Sequence, residues 1–255
     1  MRRFFIDKEA VSSAGSTLTG PDVRHIRTVL RLKPGDEIFL FDGQGSEYRA
    51  RIADSTSRAI RLLILDKDSA ISESCLEIEI GQSLLKARNM DRIVRQLTEL
   101  GVVAFLPFMS ERSVARPEPS RLAGRKQRWK TIARESLKQC GRSRAPHIGS
   151  LVSFEELVTA RRSHNLKVIF HNHQSGAEST SCLAKMHDVR SVLALVGPEG
   201  GFTDKEVELA LRHGFVCVCL GPRTLKSDTA TIVVAAMLQH AFGDLTDLQK
   251  NLDKN

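Results

Sequence analysis

The hydrophobic positions of this chain change period near residue 75, and the change divides it in two. Up to about residue 70 the apolar residues alternate or come in short runs. Asp36–Asp42 is apolar at its centre, Glu47–Ile52 alternates, and Ala59–Leu65 is a further strand-like run, with turns at Lys33–Asp36 and Gly43–Gly45. Strands this short and this dense predict a small barrel. One helix interrupts them, with Pro21 at its start and Val23, Ile26, Val29 and Leu30 following at helical spacing. Ser69–Ser74 is small and polar, and reads as the linker between domains spanning residues 1–70 and 75–245.

Beyond the linker, strands and helices take turns. Leu76–Leu85, Val102–Phe108, Lys167–His171, Ser191–Val196 and Phe215–Leu220 read as strands. Arg88–Leu100 carries Met90, Ile93, Val94, Leu97 and Leu100 on one face, and Gly101 ends it. Arg121–Cys140 predicts a long helix that turns Trp129, Ile132, Ala133, Ser136, Leu137 and Cys140 inward. Ser153 with Glu156 is a capping-box signature for a helix over Phe154–Arg162, and Thr203 with Glu206 is another for a helix ending at Gly214. Asp228–Phe242 is apolar nearly all round after a polar first turn, so burial is expected. The alternation predicts an α/β domain with a mainly parallel sheet covered by helices. The polar tail from Asp244 is expected to fray.

Composition narrows the setting. The chain has 255 residues, 41% of them hydrophobic, enough for a core. No apolar run reaches the roughly 18 residues that span a bilayer, so no membrane partner is expected. The start, Met1-Arg2-Arg3-Phe4-Phe5, lacks the apolar stretch of a signal peptide. Five cysteines, with no C-x-x-C pair, argue against a disulfide framework or a structural zinc and fit a cytoplasmic location. Cys217 and Cys219 share one face of a strand and read as core. His171 and His173 point to opposite faces without a Cys or acidic partner, so no metal is expected. The net charge of +8 is concentrated in residues 75–150, with 15 basic against 7 acidic side chains. A field confined in this way suits a polyanion such as nucleic acid, although a solvated basic face would look the same.

The chemistry concentrates in two glycine-bearing turns, each after a buried strand and before a helix. They are Leu195-Val196-Gly197-Pro198-Glu199-Gly200-Gly201-Phe202 and Leu220-Gly221-Pro222-Arg223-Thr224-Leu225-Lys226-Ser227-Asp228-Thr229-Ala230. Gly200-Gly201 lets backbone approach a ligand closely, and the helix start beyond it would suit an anion. Glu199 would oppose a phosphate, however, and neither common nucleotide loop is present. A ligand held by backbone amides and apolar walls fits better, and S-adenosylmethionine is of that kind.

Gly197–Phe202 and Leu220–Arg223 resemble the signature of the SPOUT class of RNA methyltransferases, and most closely the RsmE family, which methylates N3 of a uridine in 16S ribosomal RNA. The resemblance covers almost the whole chain. It includes Arg2–Phe5, His25, Val29-Leu30-Arg31, Pro34-Gly35-Asp36, Lys86, Met90-Asp91, Thr98–Val102, Ser110-Glu111-Arg112-Ser113, Arg128-Trp129, Glu135 and Gln139–Arg142. It implies a PUA-like RNA-binding barrel over residues 1–70, then an α/β domain with a deep trefoil knot over 75–245. It also implies a homodimer, the 30S subunit or its 16S rRNA as partner, and S-adenosylmethionine as methyl donor. By match, the donor pocket would use Val196, Gly197, Gly201, Leu220, Gly221, Leu225 and Thr229. The chain departs from the family's usual Ile-Leu-Arg-Thr-Glu-Thr-Ala with Thr224–Ala230, so that Lys226 stands where the family has arginine. Where an acidic pair is common, it has Asn172-His173.

Methylation at N3 requires the uracil to lose a proton, and a nearby cation stabilises the charge that develops. Arg223 and Lys226 are the candidates, with Asp228 either orienting one of them or capping the helix. For RNA, Arg2 and Arg3 stand beside Phe4 and Phe5, rings that could stack on bases or simply begin a barrel strand. Arg24, Arg27 and Arg31 decorate the short helix, and Lys86 joins them by the resemblance. Lys126, Lys130, Arg134 and Lys138 recur every four residues, and with Arg142 and Arg144 they would form a stripe that tracks phosphates or a solvated face. Two rivals stay open: an RNA-binding protein that has lost catalysis, and a related enzyme acting elsewhere, such as on a ribose 2′-hydroxyl.

Overall fold

The computed structural model describes residues 2–11, 15–69, 73–160, 163–171, 178–180, 183 and 186–245. The chain forms two compact units, Met1–Glu73 with Arg134–Ala145 and Ser74–Ala133 with Pro146–Asn255. The division is therefore not one cut at a linker, because a segment from mid-chain completes the first unit. Nor is the linker loose where it is described. Ser69 is the last residue of a strand. The Glu73 carboxylate accepts from Arg142 Nη2 at 2.9 Å and from the backbone N–H groups of Ser143 and Arg144 at 3.1 and 2.8 Å.

The first unit is built on a five-stranded sheet. Its strands are β1 (Arg3–Phe5), β2 (Ser16–Thr19), β3 (Glu37–Phe41), β4 (Ser46–Ser55) and β5 (Ala59–Ser69), in the order β1-β3-β4-β5-β2. Alternation along β4 buries Tyr48, Ala50 and Ile52 against Phe4, Ile38, Leu40, Ile60 and Leu62. The Phe4 ring is thus core, as the strand reading of Arg2–Phe5 requires. The predicted helix is present only as one turn, α1 (Pro21–Arg24), which runs into a π-helical turn over His25–Val29. Leu30 N–H reaches back five residues to the His25 carbonyl at 3.0 Å. The wider turn rotates the next side chain off the helical face. Val29, expected inside, is 64% exposed, whereas Val23 and Ile26 are buried.

The second unit has helices on both faces of a parallel sheet. Its strands are β6 (Glu77–Ser83), β7 (Ala104–Met109), β8 (His147–Ile148), β9 (Val152–Ser153), β10 (Leu166–Phe170), β11 (Glu178–Ser179), β12 (Ser191–Val196) and β13 (Val216–Cys219). The order is β11-β13-β10-β12-β6-β7-β8, with β9 also on β7. The chain thus leaves a place beside β6 and fills it later with β12. Helices α2 (Ala87–Glu99), α3 (Leu122–Cys140) and α6 (Ser227–Phe242) contribute to one hydrophobic cluster; α4 (Phe154–Thr159) and α5 (Asp204–Arg212) contribute to another. Alternation in β12 sends Val192, Ala194 and Val196 to the first cluster, and Leu193 and Leu195 to the second. Both faces are apolar, as in a sheet covered on both sides.

Both predicted capping boxes form, at Ser153–Glu156 and Thr203–Glu206. Gly101 ends α2 with φ +79°, as the stop signal requires. The first helix after a capping box ends at Thr159 in place of Arg162, a residue outside those described. Helix α6 departs from expectation in one respect. Val234, Ala235 and Leu238 are buried, but Ile232, Val233, Ala236 and Met237 are only half-buried. Among the described residues no helix is long and apolar enough to cross a membrane.

Candidate functional site: a cavity at the ends of three parallel strands

A cavity of about 360 Å³ lies where β10, β12 and β13 end. Ligands of open parallel sheets gather beyond the carboxyl ends of the strands, because the loops there are free to vary while the strands hold them. Phe170, Val196, Leu220, Leu225 and Ala230 give it apolar walls. Backbone of Gly197–Phe202 forms one side, and Arg112, His171, Glu199, Asp204, Thr224 and Ser227 complete the lining. Two carboxylates among apolar walls make this a poor seat for a polyphosphate and a suitable one for a cation-bearing, partly apolar molecule.

The first glycine loop is anchored by its last residue. Phe202 is 1% exposed, stacks on Phe108 with centroids 6.2 Å apart and meets Phe154 at 5.4 Å. A Cβ on Gly197 would stand 3.2 Å from that ring, tighter than ordinary contact, so glycine is what lets the ring seat. Gly201 has φ +71°, a left-handed turn that glycine adopts without steric cost. Arg112 Nη1 donates to the carbonyls of Gly200 and Phe202 at 3.1 and 3.3 Å, holding the loop from outside. The helix start beyond the loop does not offer the open anion site expected of it. Thr203 N–H and Glu111 N–H donate to the Glu206 carboxylate at 2.9 and 3.0 Å, so the protein's own acid already occupies that end.

The second loop is tied to the first. Ser227 Oγ donates to the Gly197 carbonyl at 2.5 Å. Gln82 Nε2, at the end of β6, donates to Ser227 Oγ at 3.1 Å, and the Thr231 hydroxyl contacts Gln82 Oε1. Gln82 and Thr231 are wholly buried, so this network is shielded from water. Asp228 neither caps α6 nor orients Arg223 or Lys226. The cap position belongs to Lys226, and the buried Asp228 carboxylate pairs with Arg92 of α2. Behind the loop, burial pushes the Cys217 thiol above its ordinary pKa, and neighbouring Cys219 adds to the rise.

The structure brings together five of the seven residues expected to hold the donor: Val196, Gly197, Gly201, Leu220 and Leu225. Gly221 and Thr229 sit on the same loop and helix start but are not among the lining residues, and Thr229 is exposed. Arg223 and Lys226 are exposed on the second loop and do not line the cavity either. Sequence reasoning gave no role to Arg112, Phe170, His171 or Ser227, which do line it. Arg112 lay inside a segment that carried the family resemblance, and Ser227 inside the one that departs from it. His171 was weighed only as a metal ligand; among the described residues no cluster could hold a metal, and His173 and Asn172 lie outside them.

The basic residues divide by exposure. Arg2, Arg24, Arg27, Arg31, Lys86 and Lys130 are exposed. Arg3 is 3% exposed and spends its guanidinium on Glu47 at 2.9 Å and on the carbonyls of Leu137 and Arg142. Of the stripe on α3, Lys126 donates to Ser150 Oγ at 3.1 Å. Arg134 lies 4.7 Å from the centroid of the Phe5 ring, and Lys138 stands between Asp22 at 3.0 Å and Glu135 at 3.1 Å. Arg142 is buried on Glu73, while Arg144 is exposed. Four-residue spacing placed these cations on one face, but nearby acceptors and a ring engage most of them.

Comparison with known proteins agrees with this architecture. The pattern of the RNA methyltransferase domain matches residues 72–239, and that of the RNA methyltransferase PUA domain matches residues 18–65. The ribosomal RNA small subunit methyltransferase E of Synechocystis is 30% identical over 92% of this chain and 76% of its own length. That of Bacillus subtilis is 28% identical over 94% of this chain and 96% of its own. Among solved structures, the ribosomal RNA small subunit methyltransferase E of Neisseria gonorrhoeae, bound to S-adenosyl methionine, superposes with a TM-score of 0.83 at 34% identity, covering 96% of this chain and all of that one.

Proposed function

Because this chain belongs to the ribosomal RNA small subunit methyltransferase E family, we propose that it transfers a methyl group from S-adenosylmethionine to N3 of a uridine in the 16S rRNA of the 30S subunit. One observation carries this reading. Both glycine loops and the end of β10 enclose a single cavity, with apolar walls, glycine backbone and two carboxylates. When bound, the donor supplies an electrophilic methyl on a sulfonium. Val196, Leu220 and Leu225 are placed to wall its apolar part, the backbone of Gly197–Gly201 to meet its polar edges, and Glu199 and Asp204 to favour its positive charge.

The chain's own contribution is position and charge. Ser227 and Arg112 hold the first loop from either side, so the cavity keeps its shape without a ligand. Arg223 and Lys226 stand exposed beyond it, where a uracil arriving from solvent would meet them. Their charge stabilises the ring as N3 loses its proton. Lysine at 226 does this as a point charge and not as a bidentate fork. Arg2, Arg24, Arg27 and Arg31 of the first unit, and Lys86 and Lys130 of the second, are free to meet phosphates. We read the two loops as part of a deep trefoil knot. The late insertion of β12 between β10 and β6 and the bond from Ser227 to Gly197 support that topology. The half-buried Ile232, Val233, Ala236 and Met237 of α6 support a homodimer through that face.

The test is methyl transfer from labelled S-adenosylmethionine to 30S subunits lacking the modification, with nucleoside analysis of the rRNA. Label recovered as N3-methyluridine upholds the reading. Donor binding with label on another nucleoside moves the substrate, and no donor binding overturns the activity.

A further inference from the structure

A second cavity, of about 380 Å³, opens on the same unit of the molecule, between the start of α3 and the segments that follow β6 and β8. Its volume falls within the roughly 300–1,000 Å³ of small-molecule sites. Leu84, Leu122, Leu151 and Trp129 make its apolar part, with Arg125 and Lys126 on one side. None of the described residues lining it carries a carboxylate. Trp129 is 5% exposed and fixed edge-on against Phe105, centroids 5.7 Å apart, so that wall is rigid.

Arg125 is the telling residue. Its Nη1 is buried and has no hydrogen-bond partner among the described residues. Buried polar atoms are almost always satisfied, so such a donor calls for an acceptor from elsewhere. Lys126 beside it donates to Ser150 Oγ, which keeps the ammonium at the cavity. The place therefore asks for an anionic group attached to a flat or apolar body, with no acid of the protein to repel it. A nucleoside 5′-phosphate has that composition: its phosphate matches the fork of arginine and the point charge of lysine, and its base matches the apolar wall.

We propose that this cavity is a nucleotide subsite, which takes an unstacked nucleotide of the RNA substrate at a distance from the one that is methylated. The proposal rests on reading the chain as an RNA methyltransferase. Leu84 follows β6 and Gly149–Leu151 follow β8, so the subsite lies towards the same strand-end edge of the sheet as the donor cavity. An RNA strand along that edge would present one nucleotide to each. Sequence-selective RNA recognition commonly works by splaying bases into such pockets.

The chain has a single tryptophan, and it lines this cavity, so tryptophan emission, excited selectively over that of Tyr48, reports on the site. Uridine 5′-monophosphate is titrated into the full chain, with inorganic phosphate and uridine as separate titrants. A saturable change with the monophosphate is expected. Arg125→Gln, which removes the unpaired donor, and Ala123→Phe, which fills the space, should each weaken it at least about tenfold, the scale of one charge-assisted bond. Thermal melting and S-adenosylmethionine binding of both variants check that the unit is intact. No response, equal binding by the variants, or equal affinity for inorganic phosphate overturns the subsite. Displacement of the monophosphate by fragments of the 16S rRNA identifies RNA as its source, and failure to displace it overturns that assignment in favour of a free nucleotide. Methyl transfer to 30S subunits is followed in parallel. Transfer without a nucleotide response rejects the subsite alone; a nucleotide response without transfer rejects the enzymatic reading, and the displacement result then decides the RNA source by itself.

Discussion

Ser227 and Gly197 lie thirty residues apart in sequence, yet the serine hydroxyl donates to the glycine carbonyl at 2.5 Å and joins the two loops of the site. Removing the hydroxyl leaves a buried carbonyl without that donor and takes from Gln82 Nε2 one of its two acceptors, the other being the Ser83 carbonyl at 2.9 Å. Ser227→Ala should cost about 1–3 kcal/mol of stability, the usual penalty for stranding buried polar groups. Donor affinity should fall more than RNA affinity, because the bond shapes the cavity wall. Urea unfolding and calorimetric titration with each ligand check the two effects separately. Equal loss for both ligands would show that the bond serves only the fold.

The pair between Arg92 and Asp228 makes a different prediction. Asp228 is 8% exposed, whereas the Arg92 side chain is 57% exposed. Losing the arginine leaves a charge in a dry place, and losing both removes the problem. Arg92→Ala should therefore destabilise more than Arg92→Ala combined with Asp228→Asn. The single change should cost about 1–3 kcal/mol, below the range of a fully buried pair because one partner is solvated. Denaturation of the four proteins in a double-mutant cycle measures it.

Lys226 should separate binding from chemistry. It is exposed and outside the cavity lining, so Lys226→Ala should leave donor affinity within about twofold, while turnover drops at least about tenfold, on the scale of losing one electrostatic contact in the transition state. Lys226→Arg should retain more activity than the alanine. Single-turnover methyl transfer distinguishes the two constants. Wild-type turnover in the alanine variant would remove Lys226 from the mechanism.

The cysteines should differ in reactivity. Cys75 is exposed, while Cys217 is buried and its thiol is held above the usual range by that burial. At pH 8 iodoacetamide should label Cys75 well before Cys217, as peptide mapping would show. The linkage has a sign. A raised folded-state pKa favours the protonated thiol, so its stabilising contribution is present below the unfolded value of about 8.5 and is lost as pH rises past it. Cys217→Ser should blunt that alkaline loss in a melting series.

The sequence made the second unit largely legible, because capping boxes and helical spacing are local signals. Ser153–Glu156, Thr203–Glu206 and the buried face of Arg88–Leu100 all stand where the pattern put them. What local reading missed depends on partners distant in sequence. Val29 kept helical spacing, yet a π-helical turn moved it outward. Asp228 looked like a cap because it sits at a helix start, yet Arg92 from another helix holds it. Arg3 looked like an RNA ligand because it is a cation next to aromatics, and three acceptors up to 139 residues away bury it. For the site, the glycines were legible as turns. Arg112 and His171 were not, since nothing local in their segments says that they meet at one cavity.

That same Arg3 has a consequence for how the chain acquires its structure. Its acceptors are Glu47, which comes early, and the carbonyls of Leu137 and Arg142, which come late. During synthesis the first 73 residues emerge well before the segment Arg134–Ala145 that finishes their unit. Until it arrives, a cation destined for the interior lacks two of its partners, and Glu73 lacks the arginine it will hold. The nascent N-terminal unit must therefore wait, incomplete, while the first third of its neighbour is being made.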